Sequence, residues 1–337
     1  MKWGDRAGAS APVGTRRSLL AAALLSLPAL AWSQERPTYE ESFARIARQQ
    51  AVDDSVAARG ARTIFLTNGA RTARVVVLFH GLTDSPRQFE SLAQLLHDAG
   101  DNVYVPRLPR HGVRGGSAHT FAGLTADELR QCADSSVDIA SGLGDTVIVA
   151  GLSLGGTMAA WIAQHREVAR AVIIAPAIEA GRIPSILERP IVGLADRIPN
   201  ITRRAPSDTA RPDREPGIAT HAIARILQLG MSVLKESRRT AAPTPAMTIL
   251  VNANDRTVKE SAAEELARQW ARHGARVSLY ELPDSLRLPH NIVDPFRGAG
   301  GGPLVLQLLE DLIHDEPPSM VVRRLMVPTV APAQPPR

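Results

Sequence analysis

The sequence contains a single cysteine, Cys132, in 337 residues. One cysteine excludes an intramolecular disulfide and any cysteine-rich zinc or iron–sulfur site. The sequence also lacks the H-E-x-x-H motif and any calcium-loop pattern, so we expect no metal and no other cofactor. Helical spacing with Leu129, Ala133 and Val137 predicts that Cys132 is a small core residue and not a reactive thiol.

Lysine is scarce, because Lys2, Lys235 and Lys259 are the only ones and arginine carries nearly all of the positive charge. The formal net charge is +5, but the first 33 residues hold four basic and one acidic residue, and without them it is +2. The arginines come in scattered pairs and form no stripe interleaved with aromatic side chains. The composition therefore predicts no nucleic-acid partner.

The apolar stretch Leu19–Leu30 is too short to cross a membrane, which takes roughly 20 residues. It follows Arg16-Arg17 and precedes Ala31-Trp32-Ser33, the pattern of a signal peptide with a cleavage site. Residues 1–33 therefore predict an export signal, secretory or twin-arginine, with a buried helix as the alternative. We expect a periplasmic or secreted protein with no stable membrane insertion after signal removal.

Apolar strand patterns alternate with amphipathic helix patterns along most of the chain, which predicts an α/β fold with a parallel sheet covered on both faces. We predict strands at 62–66, 74–79, 102–106, 147–150, 171–175, 247–251 and 276–282. Asn68-Gly69 indicates a hairpin between the first two strands. The predicted parts are an N-terminal helix and linker (34–60), an α/β core (61–180 and 244–315), a cap or lid insertion (181–243) and a proline-rich disordered tail (316–337).

The segment Gly151-Leu152-Ser153-Leu154-Gly155-Gly156 follows one of these strands and opens an alanine-rich helix pattern. A strand, a tight turn and a helix would present the serine hydroxyl above the sheet. The glycines permit the strained backbone and the close approach of strand and helix. This arrangement is typical of a nucleophile, with a plain glycine-rich turn as the alternative.

A carboxylate and a histidine follow the last two predicted strands, at Asp255 and His290. Since functional side chains of an open α/β sheet lie at the carboxyl ends of its strands, we expect both to meet Ser153. His290 would accept the serine proton and later protonate the leaving group, while Asp255 would orient the imidazole. The backbone N–H groups of Leu154 and Leu82 would bind the oxyanion.

Several motifs of this chain resemble those of α/β-hydrolases of the monoacylglycerol-lipase and small-carboxylesterase group, over about residues 60–315. They are the oxyanion loop His80–Pro86 (H-G-L-T-D-S-P), the loop Val105–Gly112, the elbow Gly151–Gly156, the acid loop Asn254–Val258, and His290 with Asp294. The resemblance implies an α/β-hydrolase fold, with a mostly parallel sheet flanked by helices and a helical cap before the acid-bearing strand. It also implies the catalytic and oxyanion roles given above. The chain departs from the group at Arg110, where glycine is usual, and at Leu288-Pro289.

Some residues carry alternative interpretations. Asp284 and Asp294 are rivals to Asp255, and His80 is expected to shape the oxyanion loop without catalysing. The glycine run 298–302 lacks the features of a phosphate loop and predicts a flexible loop. If block 181–243 is a cap, its apolar residues line an acyl pocket, and if it is scaffold they are core. The candidate substrate-binding residues are Ile183, Leu187, Ile223 and Leu227.

These observations predict a metal-independent, exported serine hydrolase that cleaves carboxylic esters through an acyl-enzyme. Its expected partner is a small-molecule acyl ester, of medium chain length or a monoacylglycerol, and the sequence makes no prediction of oligomeric state. A peptidase, a thioesterase or an acyltransferase with the same residues is the alternative, as is a non-catalytic binding protein on this fold. A dehalogenase or epoxide hydrolase would need an aspartate at Ser153 and is set aside.

Overall fold

A computed structural model describes residues 36–181, 217–294 and 302–320, together with 190, 192–194, 197, 199–204 and 322–325. The predicted export signal, most of the first half of the predicted cap, most of the glycine run 298–302 and the end of the predicted tail lie outside these residues. No helix in the described part of the chain is both long and apolar enough to span a membrane.

A sheet of eight strands forms the centre of the described chain, in the order β1-β3-β2-β4-β5-β8-β9-β10. The neighbours from β3 to β9 are parallel, and β1 and β10 are antiparallel additions at the two edges. The predicted mostly parallel sheet is confirmed. The strands are β1 (Ile64–Leu66), β2 (Thr72–Phe79), β3 (Asn102–Val105), β4 (Gly144–Leu152), β5 (Arg170–Ile174), β8 (Ala246–Asn252), β9 (Arg276–Leu282) and β10 (Arg323–Leu325), with β6 (Thr202–Arg204) and β7 (Gly217–Ala219) forming a separate pair.

Helices connect the strands, and the sequence marks where two of them begin. Thr38 and Thr125 each cap a helix reciprocally with the glutamate three residues on, which satisfies backbone N–H groups that the first turn leaves free. The helices are α1 (Tyr39–Val56), α2 (Glu90–Asp98), α3 (Ala126–Ala140), α4 (Leu154–His165), α5 (Thr220–Ser237), α6 (Glu260–Arg272) and α7 (Pro303–His314).

The helices cover both faces of the sheet, as the all-apolar strands require. Val75, Val77 and Phe79 of β2 pack in one cluster with α1, α3, α4, α5 and α6, while Val76 and Leu78 pack in the other with α2 and α7. All five of these β2 side chains are fully buried. This core holds the carboxyl ends of the parallel strands at one edge, where the candidate catalytic residues follow.

The predicted hairpin between the first two strands is wrong. β1 pairs antiparallel with β3, and β2 lies between β3 and β4. The reason is a pair of long-range hydrogen bonds: the Asn68 N–H donates to Asn102 Oδ1 at 2.9 Å, and Asn68 Nδ2 donates to the Asp101 carbonyl at 3.0 Å. These bonds fasten the turn after β1 to the start of β3.

Part of the segment predicted as a disordered tail is ordered. The short strand β10 adds antiparallel to β9, and the Arg323 guanidinium lies 3.6 Å from the Glu281 carboxylate of that strand. Proline content predicted disorder from residue 316 onward, but the proline-free stretch 319–325 contains residues that pair with the exposed edge of β9. Tail residues 326–337 lie outside the described residues.

Candidate active site

Ser153 is the single residue between β4 and α4. Its φ of 59° and ψ of −112° place a non-glycine residue in the left-handed half of backbone space, which costs on the order of 1–3 kcal/mol. The Ser153 N–H donates to the Ile174 carbonyl at 2.9 Å, and its carbonyl accepts from the Thr157 N–H at 2.9 Å. The surrounding backbone therefore holds Ser153 in a strained turn at the carboxyl end of β4.

Helix α4 approaches the sheet too closely for a side chain at Gly155. A Cβ there would lie 1.8 Å from the Phe79 carbonyl oxygen at the end of β2. Glycine at this position brings the start of α4 against the oxyanion loop that follows β2. Leu154 is the first helical residue, so its N–H has no acceptor within the helix and is free to bind an anion.

The oxyanion loop that follows β2 is held by its own hydrogen bonds. Gln88 Oε1 accepts from the Gly81 N–H at 2.8 Å, and the Asp84 N–H donates to the Gly81 carbonyl at 3.2 Å. Thr83 adopts a left-handed φ of 72°. These contacts fix the backbone on both sides of Leu82, whose N–H is the second predicted oxyanion donor.

His80 stabilises this loop through hydrogen bonds that require the neutral imidazole. Its Nε2 accepts from the Leu108 N–H at 3.2 Å, so Nδ1 carries the proton and donates to the Gly81 carbonyl at 3.0 Å. Burial and the neighbouring His111 lower the pKa of His80 well below its ordinary value. The ring is fully buried and bonded at both nitrogens, which is the arrangement of a structural histidine.

The burial of His111 predicts that the folded protein loses stability in acid. Burial lowers its pKa to about 4, with Arg107 adding to the shift against a hydrogen bond to the Pro109 carbonyl that raises it. The unfolded chain binds a proton near pH 6.5 and the folded chain only near pH 4, so stability falls as the pH drops between these values. His111 contributes about 3 kcal/mol to this loss of unfolding free energy.

His111→Phe keeps a ring against His80 and Phe121, whose centroids lie 5.0 and 4.6 Å from that of His111, and removes the titrating group. We expect a shallower loss of unfolding free energy between pH 6.5 and 4, measured by urea denaturation at each pH. His119→Gln, at an exposed histidine, is the control and should follow the wild type. Parallel pH profiles for wild type and His111→Phe would refute the assignment.

Asp255 and His290 form a close pair. His290 Nδ1 lies 2.5 Å from Asp255 Oδ2, and Asp255 Oδ1 accepts from the Thr257 N–H at 2.7 Å. Burial raises the pKa of Asp255, but the hydrogen bond and charge of His290 and the bonds from Thr257 outweigh it, so the pKa lies below its ordinary value. An ionised carboxylate in this position keeps the His290 proton on Nδ1 and leaves Nε2 as a base.

The histidine loop is tied to the acid loop by two asparagines at the end of β8. Asn252 Nδ2 donates to the carbonyls of Leu288 and Pro289 at 3.0 and 3.1 Å, and Asn254 Nδ2 donates to that of Leu288 at 3.1 Å. The departure from the family pattern at Leu288-Pro289 therefore leaves backbone acceptors that hold His290 beside Asp255.

One cavity of about 550 Å³ brings the predicted residues together. Ser153, His290, Leu82 and Leu154 all line it. Asp255 lies behind His290, outside the lining of this cavity. The predicted nucleophile, base and oxyanion donors thus line the same cavity, and the predicted acid contacts the predicted base from the far side, as acyl transfer would require.

The walls of the cavity are largely apolar, and α5 supplies three of the apolar side chains. Ile223 and Leu227, two of the four predicted substrate-binding residues, line the cavity together with Ile226. The other two, Ile183 and Leu187, lie outside the described residues. The same helix packs against α4 and α6, so α5 forms part of both core and cavity.

The remaining alternatives fall elsewhere. Asp284 is exposed in the short helical turn Asp284–Leu286, and Asp294 is buried with its N–H donated to Asn291 Oδ1. Among the described residues, Asp255 is the carboxylate that accepts the hydrogen bond from His290 Nδ1. Arg110 occupies the usual glycine position with φ of 65°, the left-handed conformation that favours glycine, and its guanidinium pairs with Glu128 at 3.0 Å.

Residues 76–297 match the model of the alpha/beta hydrolase family. A thermostable monoacylglycerol lipase of Bacillus sp. (strain H-257) is 29% identical over 134 residues, which cover 36% of this chain and 49% of that protein. The chain thus matches about half the length of this curated relative.

Solved structures share the fold at lower sequence identity. One described with LipS and LipT, two metagenome-derived lipolytic enzymes, is 20% identical with a TM-score of 0.60, covering 77% of this chain and 100% of that one. The monoacylglycerol lipase of Paleococcus ferrophilus is 20% identical with a TM-score of 0.53, covering 69% and 91%. Both matches support the predicted α/β-hydrolase fold independently of the strand order.

Proposed function

Because the chain belongs to the alpha/beta hydrolase family, we propose that it is a serine hydrolase cleaving carboxylic esters, with Ser153, His290 and Asp255 as catalytic residues. The observation that carries the proposal is the shared cavity: Ser153 and His290 line it, and His290 is hydrogen-bonded to Asp255. A binding protein has no need of a strained serine beside an oriented base.

The reaction follows from this geometry. Ser153 Oγ attacks the ester carbonyl carbon while His290 Nε2 accepts its proton, and the Leu82 and Leu154 N–H groups bind the developing oxyanion. The tetrahedral intermediate collapses to an acyl-enzyme as His290 returns the proton to the leaving alcohol. Water, deprotonated by His290, then attacks the acyl carbon, and His290 returns that proton to Ser153 Oγ as the carboxylic acid is released. Asp255 stabilises the imidazolium in each half-reaction.

The cavity supports an acyl ester of medium chain length, or a monoacylglycerol, as the substrate. Most of its wall is apolar, with Leu152 of β4 and Ile223, Ile226 and Leu227 of α5 among the lining side chains, and about 550 Å³ holds a chain of several methylenes. Each methylene that leaves water for such a wall contributes about 0.8 kcal/mol to binding. The monoacylglycerol lipases among the similar proteins agree with this choice.

The test is hydrolysis of p-nitrophenyl esters with acyl chains from C2 to C16. We expect turnover with a maximum of kcat/KM at medium chain length. Ile223→Trp, which fills part of the cavity from α5, should move that maximum to shorter chains. Arg225, on the same helix but outside the cavity lining, gives the matched control Arg225→Gln with the wild-type maximum.

No ester turnover by folded wild type would overturn the proposal. Amide, thioester or acyl-acceptor substrates would then distinguish a peptidase, a thioesterase and an acyltransferase. Ligand binding that survives Ser153→Ala, with none of these reactions in the wild type, would identify a binding protein.

A further inference from the structure

A chain of buried polar side chains crosses from the oxyanion loop to the histidine loop. Asp84 Oδ2 accepts from Gln88 Nε2 at 3.1 Å and from Asn291 Nδ2 at 3.3 Å. Gln88 in turn binds the Gly81 N–H through Oε1. Asp84, Gln88 and Asn291 are each at most 5% exposed, and all three line the active-site cavity.

We propose that Asp84 is a positioning residue of this site, which sets the separation between the oxyanion donors and the base His290. The inference rests on the proposed ester hydrolysis. Asp84 is two residues from the donor Leu82, and its partner Asn291 directly follows His290. A shift at Asp84 therefore moves both groups that must contact the same tetrahedral intermediate.

The sheet itself does not set this separation. The oxyanion loop follows β2 and the histidine loop follows β9, with β4, β5 and β8 between them. Four steps of about 4.8 Å put the two strands roughly 19 Å apart within the sheet. Both loops reach back over the intervening strands to Ser153, and Asp84 with Asn291 supplies a direct contact between them.

The orientation of both amides follows from their other bonds. Asn291 Oδ1 accepts from the N–H groups of Val293 and Asp294 at 3.3 and 3.2 Å, so Nδ2 must face Asp84. The Gly81 N–H fixes Gln88 in the same way and turns its Nε2 toward Asp84. Two amide donors thus bind a single oxygen, Asp84 Oδ2, and this atom links the oxyanion loop to the histidine loop.

Because both donors bind one oxygen of Asp84, two substitutions of this residue should have different effects. Asp84→Asn keeps one carbonyl oxygen able to accept both bonds, whereas Asp84→Ala leaves the donors of Gln88 and Asn291 buried without this acceptor. We expect Asp84→Ala to lower kcat for a p-nitrophenyl ester about 10- to 100-fold with KM changed less than about threefold, because a small displacement acts on the transition state. Asp84→Asn should restore most of the lost kcat.

Asp311→Ala controls for the loss of a buried aspartate away from the site. Asp311 lies on α7, is 5% exposed and accepts from the Ser319 N–H at 2.7 Å. We expect it to lower the melting temperature as Asp84→Ala does, with wild-type kcat. The kcat of the double variant Asp84→Ala/Asn291→Ala should be no more than about twofold below that of the worse single variant. Both substitutions remove the same contact, the hydrogen bond between Asn291 and Asp84.

The outcomes are distinct. Wild type that hydrolyses no ester overturns the proposed function and this inference with it. With an active wild type, the positioning role is overturned by Asp84→Ala within twofold of wild-type kcat, by Asp311→Ala losing kcat equally, or by Asp84→Asn failing to restore it. Fully multiplicative losses in the double variant would likewise overturn it.

Discussion

Replacing Ser153 with alanine is expected to lower kcat for a p-nitrophenyl ester by about 10⁴- to 10⁶-fold. The change removes the only atom that forms the acyl-enzyme in the proposed mechanism. The Leu82 and Leu154 amides remain, so a small residual rate from direct attack of water should persist. Alanine fits the same turn as serine and leaves both backbone hydrogen bonds of residue 153 in place. We therefore expect a melting temperature within a few degrees of that of the wild type.

Ser261→Ala provides the matched control, because Ser261 is an exposed serine near the acid loop. It should keep wild-type kcat. A fluorophosphonate should label the wild type once, on the peptide that contains Ser153, and leave Ser153→Ala unlabelled. More than about one per cent of wild-type kcat in Ser153→Ala would mean that another group attacks the ester.

The sequence predicted the parts of this molecule that depend on local pattern. Helix α4 begins directly after Ser153, where the sequence predicts a helix, and β9 has the limits of the predicted strand at 276–282. The helix follows from a nearly continuous apolar segment that begins at the predicted turn, and the strand from apolar residues interspersed with polar ones before Pro283. The grouping of Ser153, Asp255 and His290 could be predicted because parallel strands place their carboxyl ends at one edge.

The partner of β1 could not be read from the same signals. Asn68-Gly69 is a strong local indication of a hairpin. In the structure, two hydrogen bonds from Asn68 to residues 101 and 102 direct the chain to β3, over 30 residues away. Turn propensity describes the few residues of the turn itself, whereas strand pairing is decided by contacts that the turn makes elsewhere.

The contacts between the loops of the site could not be predicted from the sequence either. Asp84 and Asn291 are 207 residues apart, and neither lies in a periodic segment. Asn252 and Asn254 lie in the strand-end segment that was singled out for Asp255, but nothing local predicts that their amides hold the carbonyls of Leu288 and Pro289. Motifs thus identify the reacting groups, while the side chains that fix their spacing emerge only from the fold.

Asp255→Asn is the second change with a large expected effect. The Thr257 N–H binds Asp255 Oδ1, so the asparagine carbonyl should occupy that position and turn its NH₂ toward His290 Nδ1. His290 Nδ1 would then accept a hydrogen bond, and its proton would move to Nε2, which could no longer take the proton of Ser153. We expect kcat to fall about 10³- to 10⁴-fold at pH 7 with little change in KM.

Asp284→Asn tests whether any carboxylate at this end of the sheet would serve. Asp284 lies in the loop between β9 and His290 and is exposed, so its loss should leave kcat within twofold of wild type. The pKa of Asp255 lies below its ordinary value, so the ionised carboxylate is the form that faces His290 at neutral pH. Equal losses from Asp255→Asn and Asp284→Asn would remove the basis for assigning the acid to Asp255. A loss confined to Asp255→Asn would show that the imidazole depends on this one carboxylate for its tautomer.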